Sequence, residues 1–306
     1  MSLLIVGTVA FDAIETPFGK TDKIIGGSAT YGCLAASYFS NDVRLVAVVG
    51  DDFLAEDIAL LESHGIATEG LQIKEGEKSF FWAGKYHIDM NTRDTLATDL
   101  NVLADFDPII PASYQGVEYL MLGNLSPQVQ KTVIERLERR PKLIMMDTMN
   151  FWMDTAMDAL VETIGMVDVL SINDEEARQL SGEYSLVKAA RKIMQMGPKT
   201  LIIKKGENGA LLFNGHSVFF APALPLEEVF DPTGAGDTFA GGFIGYLTKT
   251  DDTSFNNMKK AVIYGSALAS FTVEKFGVER IVNISDEDMS NRIQRFVDLV
   301  QLEGSI

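Results

Sequence analysis

The stretch Asp231-Pro232-Thr233-Gly234-Ala235-Gly236-Asp237-Thr238 runs straight into Phe239-Ala240-Gly241-Gly242-Phe243-Ile244. Pro232 fixes its own φ and biases Asp231 towards an extended conformation, so a strand or loop ends here. From Asp237 onward, Phe239, Phe243, Tyr246 and Leu247 recur at helical spacing. Gly234, Ala235 and Gly236 therefore fall at a helix N-terminus, where free N–H groups and the helix dipole favour a bound anion. A carboxylate at Asp237 is awkward beside bound negative charge but useful as a base. It would take a proton from an alcohol while the N–H groups stabilise charge on a transferring phosphoryl group. Taken alone, the four residues GAGD also read as a turn that caps a helix.

The chain has 306 residues, 46% hydrophobic and 23% charged, which suits one large α/β domain or two modest ones. No apolar run approaches the ~20 residues that span a bilayer. Leu3 to Ala10 is short and lacks basic flanks, so it reads as a first strand and not as an export signal. The single Cys33 forms no internal disulfide and sits among small residues as a buried one; the cytoplasm is the expected compartment. A net charge of −17 argues against nucleic acid as a partner. It leaves room for a nucleotide, which needs only a local site of helix N-terminus, one or two lysines and a divalent cation.

Along the chain, short β-branched or apolar runs alternate with helical patterns. Leu3–Gly7, Val43–Gly50, Val117–Asn124, Lys142–Asp147, Val167–Ile172 and Thr200–Phe213 read as strands. Helices are predicted at Cys33–Phe39, Phe53–His64, Pro127–Arg139, Met258–Phe276 and over the tail from Ser285 to Ile306. Repeated βα units predict a doubly wound, mainly parallel sheet, with ligands at the strand carboxyl ends. Asp12, Gly50, Asn124, Asp147 and Asn173 all fall there. There is no GxxxxGK[ST] and no GxGxxG after the first strand, which excludes a P-loop and gives no sign of a dinucleotide fingerprint. Three histidines and no clustered cysteines argue against a zinc site.

From Asp231 to Gly242 the sequence resembles, residue for residue, the C-terminal signature of the ribokinase family, the PfkB carbohydrate kinases. The resemblance implies that Gly234, Ala235 and Gly236 form an anion hole and that Asp237 activates the acceptor hydroxyl. Gly26-Gly27-Ser28-Ala29-Thr30-Tyr31-Gly32 is similar in part to the family's N-terminal signature. Tyr31 stands where the family has Asn, and Ser28 where many sugar kinases have Lys. Gly26 and Gly27 would let the backbone approach a substrate. Tyr31 would stack on a sugar face or a base, or pack in the core. The GGSAT run is closer to the nucleoside-kinase branch. Asp12 is implied as a holder of sugar hydroxyls, with Asn124 a further substrate candidate.

Asn173-x-x-Glu176 resembles the family's NxxE motif, whose acid holds hydrated Mg²⁺ through water; the same residues make a good helix start. Gly206-x-x-Gly209 resembles its nucleotide turn, with Lys204 or Lys205 near phosphates, Thr233 beside the nucleotide, and Ala267 on a small-residue helix that receives adenine or packs in the core. Two pieces, about 13–25 and 73–100, would form a small β lid that excludes water and supports a possible homodimer. Arg93 would clamp an anion, although a surface ion pair with Asp94 or Asp89 fits the sequence better. The whole reading is a single ribokinase-like domain over 1–306 that uses ATP and Mg²⁺ to phosphorylate the hydroxymethyl group of a small sugar or nucleoside. Dependence on K⁺ is left open. The alternatives are a nucleoside kinase of adenosine type, or a nucleotide- or sugar-binding sensor without turnover.

Overall fold

The computed structural model describes residues 1–301. In chain order its elements begin with strands β1 (Leu3–Val6), β2 (Ala10–Thr16), β3 (Gly19–Lys20) and β4 (Ile24–Gly26), helix α1 (Ser28–Ser37), β5 (Val43–Gly50), α2 (Ala55–Ser63) and β6 (Ile66–Lys74). Strands β7 (Phe81–Tyr86), β8 (Arg93–Asp99) and β9 (Tyr119–Leu122) follow, then α3 (Pro127–Arg136), β10 (Leu143–Asp147), α4 (Asn150–Thr155), α5 (Met157–Ile164) and β11 (Val169–Asn173). The chain continues through α6 (Asp174–Ser181), α7 (Leu186–Met194), β12 (Thr200–Lys204), β13 (Ala210–Asn214) and β14 (Ser217–Ala221), and closes with α8 (Ala235–Thr250), α9 (Phe255–Thr272) and α10 (Asp286–Val300).

A nine-stranded sheet runs β14-β13-β12-β11-β10-β9-β1-β5-β6. It is parallel from β12 to β6, and the antiparallel hairpin β13–β14 finishes one edge. The parallel strands are apolar throughout because helices cover both faces. β1 (LLIV) and β9 (YLML) are wholly buried. Alternation splits their side chains between two cores. Leu3, Ile5, Tyr119 and Met121 pack on the face of α1, α8 and α9, while Leu4, Val6, Leu120 and Leu122 pack on the opposite face, with Val133, Leu160 and Ile193. The chain winds outward from β1 to β6 in one direction and from β9 to β12 in the other. The switch between β1 and β9 is where such a sheet opens a crevice for ligands.

A second sheet, β3-β2-β7-β8 with β4 on β2, is built from residues 10–26 and 81–99. Its second piece starts later than the expected residue 73, because Ile66–Lys74 pairs with β5 as the edge of the large sheet. α9 begins three residues before the expected Met258, where the Ser254 hydroxyl caps it by accepting the Asn257 N–H at 3.3 Å. The expected closing helix is α10; residues 302–306 lie outside the described part. Among the described residues no helix is long and apolar enough to cross a membrane.

Helix α8 lies between α1 and α9 at close range. A Cβ added at Gly241 would lie 2.2 Å from the Gly32 carbonyl oxygen, one at Gly245 2.8 Å from Ala36 Cα, and one at Gly242 3.0 Å from Gly265 Cα. Backbone cannot yield as a side-chain tip does. Gly241→Ala is therefore expected to lower the unfolding free energy by about 1–3 kcal/mol, read from the urea midpoint. An unchanged midpoint would show that α1 and α8 separate freely.

Candidate active site

The first turn of α8 supplies the anion-binding geometry. Gly234 is its N-cap, in the left-handed region at φ 73°, where a side chain is strained and where a Cβ would also run into the Tyr31 ring. The Ala235 N–H bonds back to the Pro232 carbonyl at 3.2 Å and the Thr238 N–H to that of Gly234 at 2.8 Å. The N–H groups of Gly236 and Asp237, between them, have no backbone acceptor among the described residues, and that of Asp237 faces its own carboxylate. Asp231 ties down the loop before the turn: its two carboxylate oxygens accept the N–H groups of Thr233 and Gly277, both at 2.8 Å.

Acidic groups crowd this turn. Lys204, at the end of β12, donates to the Asp147 carboxylate at the end of β10, Nζ to Oδ2 2.7 Å. The same ammonium would lie 3.1 Å from a Cβ at Gly236. Asp237 is half-buried, and desolvation followed by the charge of Asp147 pushes its carboxyl up to about 7, against the pull of Lys204 and Arg93. Glu176 is buried in the first turn of α6 and is likewise raised to about 7, by burial and then Asp147. Its Oε2 accepts the Asn173 N–H at 2.7 Å while Asn173 Oδ1 accepts the Glu176 N–H at 2.8 Å, so the two residues form a reciprocal capping box. Desolvation works against the charge of Lys204, but Asp147 and Glu176 outweigh it and hold the lysine charged.

On the other side of α8, Asp12 lies within β2 and not in a loop after β1, and it is buried. Gly26 makes room for it, since a Cβ there would lie 2.0 Å from Asp12 Oδ2. Gly27, at φ 97°, passes so close to Thr8 that a Cβ would meet its carbonyl oxygen at 2.4 Å. Burial, then Asp231 and Asp237, raise the Asp12 carboxyl to about 8, with the Gly27 N–H pulling down. Asn124 is half-buried at the end of β9. Its side chain is engaged on both ends, accepting from Trp152 Nε1 at 3.0 Å and donating to Met149 Sδ at 3.0 Å.

For Tyr31 and Ala267 the packing alternative holds. Tyr31 offers no open face for stacking: it is 1% exposed, with its ring against Gly234. Ala267 is fully buried in a cluster with Leu224 and Phe296, so its side chain reaches no nucleotide groove. The turn between β12 and β13 has Gly206 at φ 53° and Gly209 at φ 80°.

The small sheet reaches across to this turn. Thr233 Oγ1 donates to the Tyr86 hydroxyl at 3.2 Å, and Asn91 Oδ1 would lie 2.6 Å from a Cβ at Gly206. Arg93 makes neither of the ion pairs favoured by its sequence context. Asp94 is taken by His87 at 2.9 Å, and Asp89 accepts from Asn91 and Thr92 within its own turn. The Arg93 guanidinium lies instead 5.9 Å over the Trp82 ring, and its charge pulls down both Glu176 and Asp237. Trp82 is the register partner of Asp12. Sequence reasoning missed the contact of Tyr86 with Thr233; the aromatic density of 78–88 was the available signal.

Asp12, Glu176 and Asp237 hold protons in the fold at pH values where the unfolded chain, with ordinary carboxyls near 4, has released them. Stability free of nucleotide and divalent cation should therefore fall as pH rises from about 4 to about 8. Asp237→Asn is expected to melt roughly 2–4 °C above the parent at pH 8.5 and to match it near pH 4. Parallel melting curves across that window would refute the raised carboxyl.

A model of the pfkB family carbohydrate kinases matches residues 3–284. The cytidine kinase of Thermococcus kodakarensis is 31% identical over 248 residues, covering 80% of this chain and 87% of that protein. The nucleoside kinase of Methanothermobacter thermautotrophicus is 27% identical over 93% of this chain and 92% of its own length. Among solved structures, the nucleoside kinase of Methanocaldococcus jannaschii superposes with a TM-score of 0.77 at 20% identity, over 96% of this chain and 99% of that one, and so shares the fold. With its apolar parallel sheet and the Gly234–Asp237 turn at the head of α8, the chain belongs to the pfkB family of carbohydrate kinases.

Proposed function

We propose that this chain transfers the γ-phosphoryl group of ATP to the primary hydroxymethyl group of a nucleoside. Within an ATP-dependent kinase of small sugars or nucleosides, the reading is carried by one observation: the open N-terminus of α8 and a carboxyl raised to about 7 share one turn. A base of that pKa is matched to neutral pH. Asp237 takes the hydroxymethyl proton, the oxygen attacks the γ-phosphorus, and the bond to the ADP oxygen breaks. The N–H groups of Gly236 and Asp237, with Lys204, face the charge on the transferring group. A sensor without turnover has no use for a base at this place.

The nucleotide is assigned to the turn of Gly206 and Gly209, next to Asn173, Lys204 and Thr233. The acceptor is assigned to the crevice of Asp12, Gly26, Gly27 and Asn124. Asp12 suits vicinal hydroxyls, and Trp82 beside it in the small sheet supplies an aromatic face for a base. The names of the two relatives above, one a cytidine kinase and one a nucleoside kinase, support the nucleoside over a free sugar. The small sheet acts as a lid through Tyr86 and Asn91, keeping water from competing as acceptor.

The charges fit a divalent cation. Asp147, Glu176 and Asp237 share the one ammonium of Lys204, and burial first, then the charge of Asp147, raises Glu176 and Asp237. Among the described residues no three metal-binding side chains converge. That favours Mg²⁺, which keeps most of its waters and needs few carboxylates. Glu176 would hold it through water, and the ion would neutralise phosphate charge.

Asp237→Asn should reduce kcat by about three decades or more, by analogy with loss of a general base, while ATP binding measured by calorimetry changes little. Retained turnover would remove Asp237 from the role of base. Wild-type turnover against cytidine, inosine, ribose and phosphosugars, with Mg²⁺ and with or without K⁺, should be highest for a nucleoside. Turnover with ribose alone would move the acceptor to the free sugars.

A further inference from the structure

Tyr31 is the residue that the site geometry leaves unexplained. It stands in the first turn of α1, fully buried, yet its hydroxyl has no hydrogen-bond partner among the described residues. A buried hydroxyl without a partner costs stability, so a protein that keeps one has a use for it or suffers it. Phenylalanine would fill the same space without that cost.

The surroundings of the phenol suggest a use. A Cβ placed on Gly234 would lie 2.3, 2.4 and 2.4 Å from Tyr31 Cε2, Cδ2 and Cζ. Three near-equal distances mean that Gly234 Cα rests on the face of the ring. The ring is thus the floor under the left-handed turn that aims the first N–H groups of α8. Around the hydroxyl stand Asp12, Asp231, Asp237 and Tyr86; burial first, and then these charges, keep the phenol protonated well above its usual range. It is therefore a donor at any physiological pH. The acids near it are engaged elsewhere or lie outside bonding distance: Asp231 spends both oxygens on the N–H groups of Thr233 and Gly277. Tyr86, which belongs to the small sheet and bonds Thr233, covers this side. For a ligand to meet the buried hydroxyl, Tyr86 would have to move aside.

We propose that Tyr31 ties the acceptor to the anion hole: its ring holds the Gly234 turn in place, and its hydroxyl donates a hydrogen bond to an oxygen of the acceptor held between Asp12 and Asp237. The ring makes Tyr31 a positioning residue for the cradle, and the hydroxyl makes it a selector for the acceptor. An acceptor that satisfies the phenol settles the floor of the cradle at the same time. This inference rests on the reading of the crevice as the acceptor site.

Tyr31→Phe separates the two parts, because it keeps the ring and removes the donor. The measurements are acceptor and ATP KM, calorimetric binding of cytidine and of ribose without ATP, and the melting temperature of the free protein. The expected result is an acceptor KM and Kd raised about tenfold, an unmoved KM for ATP, and a melting temperature equal to or above that of the parent. Equal acceptor binding by Tyr31→Phe and the parent would overturn the proposal, and a raised melting temperature alongside would mark the hydroxyl as a mere packing defect. A parent that binds cytidine or ribose but transfers no phosphate would sink the kinase reading instead, while the binding comparison still decides the role of Tyr31. Tyr31→Leu removes the ring face as well and should lower kcat by a further factor of at least ten. A kcat equal to that of Tyr31→Phe would overturn the positioning half.

Discussion

The structure depends on how closely α8 can approach its neighbours. Gly241 against Gly32, Gly245 against Ala36 and Gly242 against Gly265 let three helix backbones meet with almost nothing between them. Dense packing of this kind has no slack, so the axis of α8 is fixed with respect to the sheet. Its first turn consequently opens towards the carboxyl ends of β10 and β12, where Asp147 and Lys204 stand. A helix N-terminus aimed in this way offers its dipole and its backbone N–H groups to an anion.

That arrangement brings carboxylates together in excess of cations. Asp12, Glu176 and Asp237 are all raised, with burial as the largest cause in each; Lys204 and Arg93 partly offset it at Glu176 and Asp237, and the Gly27 N–H at Asp12. A protein that holds acids in this state gives up stability at neutral pH. In the function proposed above, the same acids would face a phosphate accompanied by a cation, and Asp237 would transfer a proton near pH 7.

The small sheet completes the site from above. Near the head of α8 it makes polar contacts, Tyr86 at Thr233 and Asn91 at Gly206, while Phe11 and Ile25 root it in the main core. The small sheet is therefore apolar where it joins the large one and polar where it meets the head of α8.

The sequence alone determined whatever depends on neighbours along the chain. Continuous apolar runs in β1, β5, β9 and β10 specified buried parallel strands, and Pro232, Gly234 and the period of Phe239, Phe243 and Leu247 specified a turn at the head of a helix. The pair Asn173 and Glu176 was readable as a helix start because a capping box spans only three residues. What lay beyond reach was contact across the fold. Lys204 and Asp147 stand 57 residues apart, and their pairing follows from strand order. Whether Tyr31 faced a ligand or the core, whether Ala267 met a nucleotide or Phe296, and which way Arg93 turned were decided by which surfaces met. Local spacing gives the side of an element on which a residue lies, and only tertiary packing decides what that side touches.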